Sequence, residues 1–473
     1  MNTHCTSQQL LFQPCGSRKV VANFDAGRVS SDAGVLLLSE LDARIGIIRR
    51  FAECFTDHRT QGSIEHPVVD LLCQRILALC AGYEDLNDHD TLRGDALFAA
   101  AVGKADVTGA QRMRERDKGH PLAGKSTLNR LELTGKCMSK NPRYKKIVAR
   151  DADIESFFVE EFIDAHDEVP MARIVLDFDP SDIQLHGNQQ DRFYHGYYGH
   201  HCYLPLYIFS GQHVLMARLR RSDIDGCCGT VDALEWLVPL LREKWPDVEI
   251  VVRGDSGFAR DKIFAWCEAN KLKYIIGLSR NPRLQKMIST DLAEVAARHS
   301  ESGEPERQFV ELEYSTQDSW SRPRRVVAKA EQLPGKSNPR FVVTNYDVTR
   351  FDGRTLYEDE YCARGEMENR IKEQQLDLFG NRASSSSLRG NQLRVWLSAV
   401  AHMLMVEFRR TALVGTPLEN AQTSTIRVRL LKVGALVRVS VRRVRVALSS
   451  VFPLQAIWRT ALAQIQATWA LPP

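Results

Sequence analysis

The chain has 473 residues, 44% of them hydrophobic and 26% charged, which is ordinary globular composition for two or three domains. The net charge of +4 alone says little about binding partners. No apolar run reaches transmembrane length, the N-terminal stretch lacks the pattern of a signal peptide, and the 11 cysteines include no CxxC pair. These features exclude an integral membrane protein and a disulfide framework, and they predict a soluble intracellular protein.

Residues 1–150 are predicted to form a mainly helical N-terminal region. The apolar spacing of VVDLLCQRILALCAGY (68–83) predicts a helix that ends at Gly82, and DTLRGDALFAAAVG (90–103) is a second helical candidate. The basic segment 109–133 favours DNA binding by this region. A solvated helical bundle without a DNA-binding role is the alternative.

The segment 119–126, GHPLAGKS, matches the phosphate-loop pattern GxxxxGK[ST]. A working phosphate loop needs an apolar strand directly before it, so that the backbone amides are aimed at the phosphates. The preceding residues, QRMRERDK, are not a strand sequence. We therefore interpret the match as accidental.

The segment RIVLDFDPSD (173–182) predicts a buried strand that ends at Pro180. Asp177 and Asp179 are two residues apart and therefore point to the same face of this strand. Carboxylates at the end of a central strand either bind a metal ion or cap the following turn. The sequence leaves open whether Asp177 or Asp179 is the functional acid.

The segments that follow predict an α/β sheet. HCYLPLYIFS (201–210) and HVLMARLR (213–220) are strand candidates, and then come a helix (230–245), a strand (248–254), a helix (260–270) and a strand (273–279). Three strands followed by helix–strand–helix–strand is the order of a ribonuclease-H-like core. We assign residues 165–300 to the first part of this catalytic core and residues 301–350 to a β-rich insertion.

Residues 351–412 are predicted to complete the core with a Glu-bearing helix and a following helix. At 100° per residue, one narrow polar face of the first helix carries Tyr361, Arg364, Glu368, Lys372 and Gln375. A separate apolar stripe of Met367, Ile371 and Leu378 can dock on the sheet, and Gly380 is expected to end the helix.

Three acids stand out in this arrangement: Asp179 (or Asp177), Asp255 and Glu368. The first and fourth strands of the predicted fold are neighbours, so their carboxylates can meet, and the helix can bring the third. Carboxylate oxygens suit Mg²⁺ or Mn²⁺, and two such ions can activate a water or a 3′-hydroxyl against a phosphodiester. The sequence therefore predicts a two-metal site for phosphodiester chemistry.

The C-terminal region, residues 413–473, is basic, and it contains no Asp or Glu from Ala421 onward. Its segment VRVSVRRVRV (437–446) predicts a strand that carries several cations on one face. Phosphate contacts to DNA are assigned to four of its residues: Arg438, Arg442, Arg443 and Arg445. A separate cluster of His195, His200, His201 and Cys202 matches no common zinc spacing and is interpreted as structural.

The chain resembles the bacterial insertion-sequence DDE transposases, and most closely the group called Transposase DDE domain group one. Five motifs carry the resemblance: LDFDPSD (176–182), HG (186–187), YYGHHCYLPLYIF (197–209), VRGDSGFAR (252–260) and YCARGEMENRIKE (361–373). Related transposases have a Tyr-x2-Arg-x3-Glu-x6-Lys signature. Tyr361, Arg364 and Glu368 match it, whereas Gln375 stands where the Lys is expected, and Lys372 is the candidate substitute. The family's Asp-x-Thr motif favours Asp179 over Asp177.

The resemblance implies that Asp179, Asp255 and Glu368 bind two Mg²⁺ or Mn²⁺ ions, cleave DNA at the transposon ends and join the 3′-hydroxyl to target DNA. The implied partners are the terminal inverted repeats and target DNA, with a homodimer in the synaptic complex, in the bacterial cytoplasm. Relatives use a β insertion to grip the transposon end, sometimes with a stacked Trp, for which Trp320 is the candidate; a partly buried turn Trp is the alternative. A nuclease without strand joining and an inactive DNA-binding protein are the competing functions.

Overall fold

The computed structural model describes residues 9–136, 144–167 and 171–468, and the chain divides into two compact units. Unit one comprises Met1–Ala149 and Val400–Pro473, and unit two comprises Arg150–Ala399. The N-terminal and C-terminal segments, which the sequence analysis treats separately, thus belong to one unit. Across the described ranges, no helix is both long enough and apolar enough to cross a membrane.

Strands and helices alternate through both units. The strands are β1 (Leu10–Cys15), β2 (Arg18–Ala22), β3 (Val29–Ser30), β4 (Phe55–Asp57), β5 (Ile147–Ala149), β6 (Arg173–Pro180), β7 (Ile183–Gln184), β8 (Phe193–His195), β9 (His200–Tyr203), β10 (Leu206–Ser210), β11 (His213–Arg218), β12 (Glu249–Gly254), β13 (Lys273–Leu278), β14 (Glu306–Tyr314), β15 (Arg324–Leu333), β16 (Lys336–Ser337), β17 (Arg340–Thr344), β18 (Ala435–Val439) and β19 (Val444–Leu448). The helices are α1 (Val35–Ile45), α2 (Ile47–Glu53), α3 (Val68–Ala81), α4 (His89–Leu92), α5 (Ala96–Ala101), α6 (Lys125–Glu132), α7 (Asp151–Ala165), α8 (Thr230–Lys244), α9 (Asp261–Ala269), α10 (Pro282–Met287), α11 (Ser289–Ser302), α12 (Gly353–Thr355), α13 (Gly365–Lys372), α14 (Leu388–Ala412), α15 (Thr423–Ile426) and α16 (Gln455–Thr468).

Unit one contains the predicted helix α3, which ends at Gly82 in the left-handed conformation, with φ +98°. The second helical candidate is two short helices, α4 and α5, because Asp95 interrupts it and caps the second with its carboxylate. The two ends of the chain meet in this unit, since β18 pairs with β3 and Lys432 forms an ion pair with Asp32.

Unit two is built on a large mixed sheet. Among the described residues it has nine strands in the order β11–β10–β6–β12–β13–β17–β15–β14, with β16 paired to β15. Strand β10 runs antiparallel to both of its neighbours, β11 and β6, and strands β12 and β13 run parallel to β6. Strands β14, β15 and β17 lie where the insertion is predicted, and they continue this sheet because β17 pairs with β13.

One predicted strand, HCYLPLYIFS, was wrong as a single element. Its first half is β9, which pairs with β7 and β8 in a small three-stranded sheet, whereas its second half is β10 in the large sheet. Pro205 lies between the two strands and lacks the backbone N–H that an uninterrupted ladder requires.

The two faces of the large sheet carry different groups. Even-numbered residues of β6, such as Leu176 and Phe178, enter the main core together with α8 and α9. On the opposite face, Val175 packs with Leu356 and Tyr357 from the helical segment that follows β17. Asp177 and Asp179 alternate onto that second face, so the sheet presents its carboxylates to the Glu-bearing helical segment.

This helical segment is continuous but irregular. It runs through α12, a π-helical stretch (Leu356–Tyr361), a 3₁₀ turn (Cys362–Arg364), α13 and a second π-helical stretch (Glu373–Asp377). The apolar stripe is buried as predicted. The prediction that Gly380 ends the helix was wrong, because Phe379 takes the left-handed conformation there, with φ +60°.

Candidate active site

The first two acids lie at one edge of the sheet. Asp179 is the penultimate residue of β6, and Asp255 directly follows the neighbouring parallel strand β12. Parallel strands end at the same edge, so both carboxylates are at the carboxyl ends of their strands. Asp255 also accepts a hydrogen bond from the amide of Gly257 at 2.8 Å, which fixes its side chain at the start of a 3₁₀ turn.

Arg364 joins the third acid to the first. Its Nη1 donates to Asp179 Oδ1 at 3.2 Å and its Nη2 donates to Glu368 Oε1 at 2.5 Å. The planar guanidinium therefore bridges a carboxylate on the sheet and a carboxylate on the helix. The ordinary i,i+4 ion pair, which is the simple alternative for these two helix residues, is present, and Asp179 is a second partner of the same cation.

The charges at this edge affect one another. Burial raises the pKa of Asp179 to about 7; Arg364 opposes this shift, and the charges of Asp255 and Glu368 add to it. The same three carboxylates are among the groups that stabilise the protonated form of Arg364 and raise its pKa. The edge thus holds more negative charge than its single bridging arginine neutralises.

Asp177 has a different role from Asp179. Both of its oxygens are taken by Arg253 of the adjacent strand, with Nε–Oδ1 at 2.5 Å and Nη2–Oδ2 at 2.8 Å, and both side chains are buried. Asp177 is buried and both of its oxygens are already paired with a cation, whereas Asp179 shares its arginine with Glu368, so the geometry favours Asp179 as the functional acid. Arg253 was missed by sequence reasoning, although it stands within the VRGDSGFAR motif.

Tyr361 lies against β13 at Gly277. A Cβ at position 277 would overlap the Tyr361 hydroxyl, so only glycine allows this approach. The segment is held to the sheet by Glu360, whose carboxylate accepts from Arg173 at 2.6 and 3.0 Å and whose carbonyl accepts from Arg253 at 2.5 Å. Tyr361 and Arg364 are thereby fixed beside the carboxylates.

Gln375 stands at the lysine position of the Tyr-x2-Arg-x3-Glu-x6-Lys signature. Gln375 is buried, where it accepts from the Ser181 hydroxyl at 3.2 Å and donates to the Asp182 carbonyl at 3.4 Å. Lys372 is exposed and forms no hydrogen bond or ion pair with any described residue. Gln375 thus positions the chain just after Asp179, while Lys372 is a cation of this face that is accessible to a ligand.

Trp320 is 9% exposed and packs in the main core of unit two. Its ring makes edge contacts with Phe264 at 5.2 Å and Tyr314 at 5.6 Å, and the Arg324 guanidinium lies over it at 5.6 Å. These contacts cover the ring, so the structure favours the buried turn Trp over a ring free to stack on DNA.

The basic C-terminal sequence is a β-hairpin and not the predicted single strand. Strands β18 and β19 pair, with Arg438 directly opposite Arg445, and a turn closed by hydrogen bonds between Ser440 and Arg443 separates them. All four arginines assigned to DNA contacts are exposed, and neither Arg438 nor Arg445 has an acidic partner among the described residues. Like charges directly opposite on a hairpin destabilise it unless an anion lies between them.

Two further motifs have structural partners. The phosphate-loop match follows a 3₁₀ turn (Glu115–Asp117) and not a strand, and the Asp90 carboxylate accepts from the Lys125 amide at 3.1 Å, where a phosphate would bind. In the histidine cluster, His200 contacts Asp182 at 2.7 Å, while the His195 and His201 rings pack on tyrosines. Both observations agree with the structural interpretations.

The donor groups at the carboxylate edge suit a divalent cation. In the ranges that the structure describes, no three His, Cys, Asp or Glu side chains are already arranged around a common point, because Arg364 lies between Asp179 and Glu368. The groups are all carboxylates, which Mg²⁺ and Mn²⁺ prefer. Burial is the largest cause that raises the pKa of Asp179, and the charges of Asp255 and Glu368 act in the same direction, against the charge of Arg364. These features fit a cation that shares or takes over the position of the guanidinium.

The comparison with known families agrees with this geometry. The sequence profile described as Transposase DDE domain group 1 matches residues 12–470, which is nearly the whole chain. No curated protein matches the chain. The family acts on DNA phosphodiester bonds and generally uses divalent metal ions. With its mixed α/β sheet and its acids at one sheet edge, the chain belongs to the DDE transposases of Transposase DDE domain group 1.

Proposed function

We propose that this protein is a cut-and-paste transposase that cleaves DNA at the ends of an insertion sequence and joins each 3′-hydroxyl to target DNA. The observation that carries the proposal is the meeting of Asp179, from the sheet, and Glu368, from the helix, at the Arg364 guanidinium beside Asp255. The strand order β11–β10–β6–β12–β13 supports a ribonuclease-H-like core, because it has three antiparallel strands followed by two that run parallel to the first.

Asp179, Asp255 and Glu368 would hold two Mg²⁺ or Mn²⁺ ions in this proposal. Bound there, the ions would activate the attacking oxygen and stabilise the leaving oxygen of the phosphodiester. Arg364 would turn its two donors from the carboxylates to a DNA phosphate, which its planar fork suits. Tyr361 would support Arg364, and Lys372, exposed on the same helical face, would contact the DNA backbone.

Exposed arginines away from the carboxylate edge would bind the DNA backbone. The hairpin arginines Arg438, Arg442, Arg443 and Arg445 are exposed and suited to phosphate contacts. The partners would be the terminal inverted repeats and target DNA, with two copies of the chain acting together when the two ends are paired.

The test is cleavage of duplex DNA that carries the inverted repeat flanking the gene, in the presence of Mg²⁺. Asp179→Asn, Asp255→Asn and Glu368→Gln should each abolish cleavage and leave binding of the repeat intact. Glu366→Gln is the matched control, because Glu366 is an exposed acid on the same helix, and it should cut normally. A Glu368→Gln variant that cuts at the wild-type rate would remove Glu368 from the site.

A strand-transfer assay separates this proposal from the two competing functions. Pre-cleaved ends with a free 3′-hydroxyl are mixed with the wild-type protein, Mg²⁺ and a circular target plasmid, and joined products are expected. Cleavage of intact ends without joined products would support a nuclease. Binding of the repeat with neither reaction would support an inactive DNA-binding protein.

A further inference from the structure

The hairpin formed by β8 and β9 presents two tyrosines at its tip. Its register pairs His195 with His200, so the connecting loop is Gly196–Gly199, with sequence GYYG. Gly199 has φ +73°, and its amide donates to the His195 carbonyl at 2.9 Å, which closes the turn. Gly199 lets the chain turn tightly, so that Tyr197 projects into solvent while Tyr198 is partly buried.

The rings on this hairpin are unusually open to solvent. Tyr197 is 87% exposed and Tyr194 is 60% exposed. The Tyr197 ring stands edge-on to the Tyr198 ring at 5.0 Å, and Tyr198 in turn packs on His195 at 4.9 Å. The three rings form a row in which His195 packs on Tyr198 and Tyr198 packs on Tyr197. The Tyr197 ring, at the outer end of the row, has a face open to solvent.

Two contacts fix this hairpin to the carboxylate edge. The Tyr198 hydroxyl donates to the carbonyl of Pro180 at 3.0 Å, directly after Asp179 in the chain. His200 Nε2 lies 2.7 Å from the carboxylate of Asp182 on the same loop. The aromatic tip is therefore held to the backbone that positions the first acid.

We propose that this tip stacks on an unpaired base of the DNA strand that enters the carboxylate site. The inference rests on the proposed function and deepens it by naming the form of DNA that the site receives. Aromatic faces bind bases by stacking without reading their sequence. Bases within a duplex have both faces covered by their neighbours, so only an opened or terminal base can use a free tyrosine face.

The surroundings favour nucleic acid over a protein partner. The four tip residues are two glycines and two tyrosines, and aromatic rings of this kind stack on bases of any sequence. At the base of the hairpin the Arg221 guanidinium lies over the Phe193 ring at 4.6 Å. Arg192 directly precedes Phe193 in the sequence. Arg221 is also paired with Asp223, at 3.0 and 2.5 Å, and both arginines belong to the hairpin or its neighbouring segment, where they add positive charge that suits a phosphate backbone.

The experiment compares two fluorescent probes with the full chain: a single-stranded oligonucleotide and a covalently closed circular duplex that contains the same sequence and has no terminal base. Tyr197→Ala should weaken binding of the single strand by about 5- to 150-fold, the range for loss of one stacked base, and leave binding of the duplex unchanged. Tyr197→Phe should restore the affinity, since it keeps the ring. Tyr144→Ala, which removes an exposed tyrosine of unit one, is the matched control.

A second readout is 2-aminopurine in the single strand, whose fluorescence is quenched on stacking. Quenching by the wild type and by Tyr197→Phe, but not by Tyr197→Ala, supports the inference. The inference is overturned if Tyr197→Ala and the wild type bind the single strand with equal affinity, or if Tyr197→Ala loses affinity equally for both probes. In either case, cleavage of the inverted repeat by the wild type would leave the proposed function standing. Absence of any DNA binding by the wild type overturns both.

Discussion

Arg364 is the residue on which the candidate site depends most, because it bridges two carboxylates from different elements. A lysine at this position keeps one positive charge but replaces the planar fork with a compact ammonium group, so it cannot reproduce the bridge between Asp179 and Glu368 or pair two parallel donors with one phosphate. We expect Arg364→Lys to lower the cleavage rate by about 100-fold. The free energy of unfolding should change by about 1 kcal/mol or less.

Cleavage rates and urea unfolding of the same preparations measure both effects. The control is Arg370→Lys, since Arg370 pairs with Glu373 at 3.1 Å on the same helical segment and has no contact with Asp179. Full activity in Arg364→Lys would show that an ordinary helix ion pair is all that this arginine provides.

Asp177 is the second informative residue, because it differs from Asp179 in what surrounds it. Asp177→Asn leaves the Arg253 guanidinium buried without a counter-charge, and breaking a buried pair in this way costs about 3–5 kcal/mol of unfolding free energy. Asp179→Asn should show no such loss, while it abolishes cleavage. Urea unfolding of the two variants checks this, and wild-type stability in Asp177→Asn would contradict the assignment of Asp177 to the scaffold.

At the scale of elements, the C-terminal hairpin concentrates unpaired positive charge. Replacing Arg438 and Arg445 together with Gln should weaken binding to all DNA sequences alike and flatten its salt dependence, by about one slope unit for each phosphate that is no longer neutralised. The measurement is DNA affinity across a series of salt concentrations. Arg459→Gln on α16 is the control from the same acid-free region. An unchanged slope in the double variant would assign these arginines to folding or to subunit contacts.

The sequence predicted those elements whose signals are local. The continuous apolar run of β6, the 3.6-residue spacing of α3 and the polar face around Glu368 are read directly from neighbouring residues. What it did not predict depends on distant partners. Arg364 and Asp179 are 185 residues apart, and the pairing of Asp177 with Arg253 follows from strand register, which no local pattern reveals.

Short turns were the other source of error. The sequence VRVSVRRVRV alternates between apolar and polar residues except at Arg442–Arg443, and the four-residue turn at Ser440 that makes it a hairpin contains no glycine or proline. Phe379 ends its helix although the next residue, Gly380, is the better candidate by conformational preference. Tertiary packing decides such cases, because Gly380 is held close to Ser398, where no side chain fits.

At the scale of the whole molecule, buried histidines of unit one predict a stability that depends on pH. Burial, together with the charge of Arg75, lowers the pKa of His89 to about 3. Between pH 3 and pH 6.5 the unfolded chain therefore binds a proton that the folded chain does not, so stability is lost as the pH falls through this window. From about pH 6.5 to about pH 5 the loss through His89 is about 2 kcal/mol.

His89→Asn keeps an acceptor for the Gln74 amide that now donates to Nδ1 at 2.9 Å, and it removes the titration. Urea unfolding at several pH values should show a shallower acid loss in this variant than in the wild type. His186→Asn, at an exposed histidine, should keep the wild-type slope. An identical slope in all three proteins would mean that His89 is protonated in the folded state.

Unit one is assembled from both ends of the chain, so it can be completed only after the ribosome has synthesised the C-terminal segment. Every residue of unit two, including the acids, has been synthesised before β18 exists to pair with β3 or Lys432 exists to meet Asp32. Domains generally fold as units while synthesis proceeds, so the large sheet of unit two is complete first and unit one is completed last. A chain whose translation stops before β18 therefore carries all three of the proposed catalytic acids but cannot finish the other half of the protein.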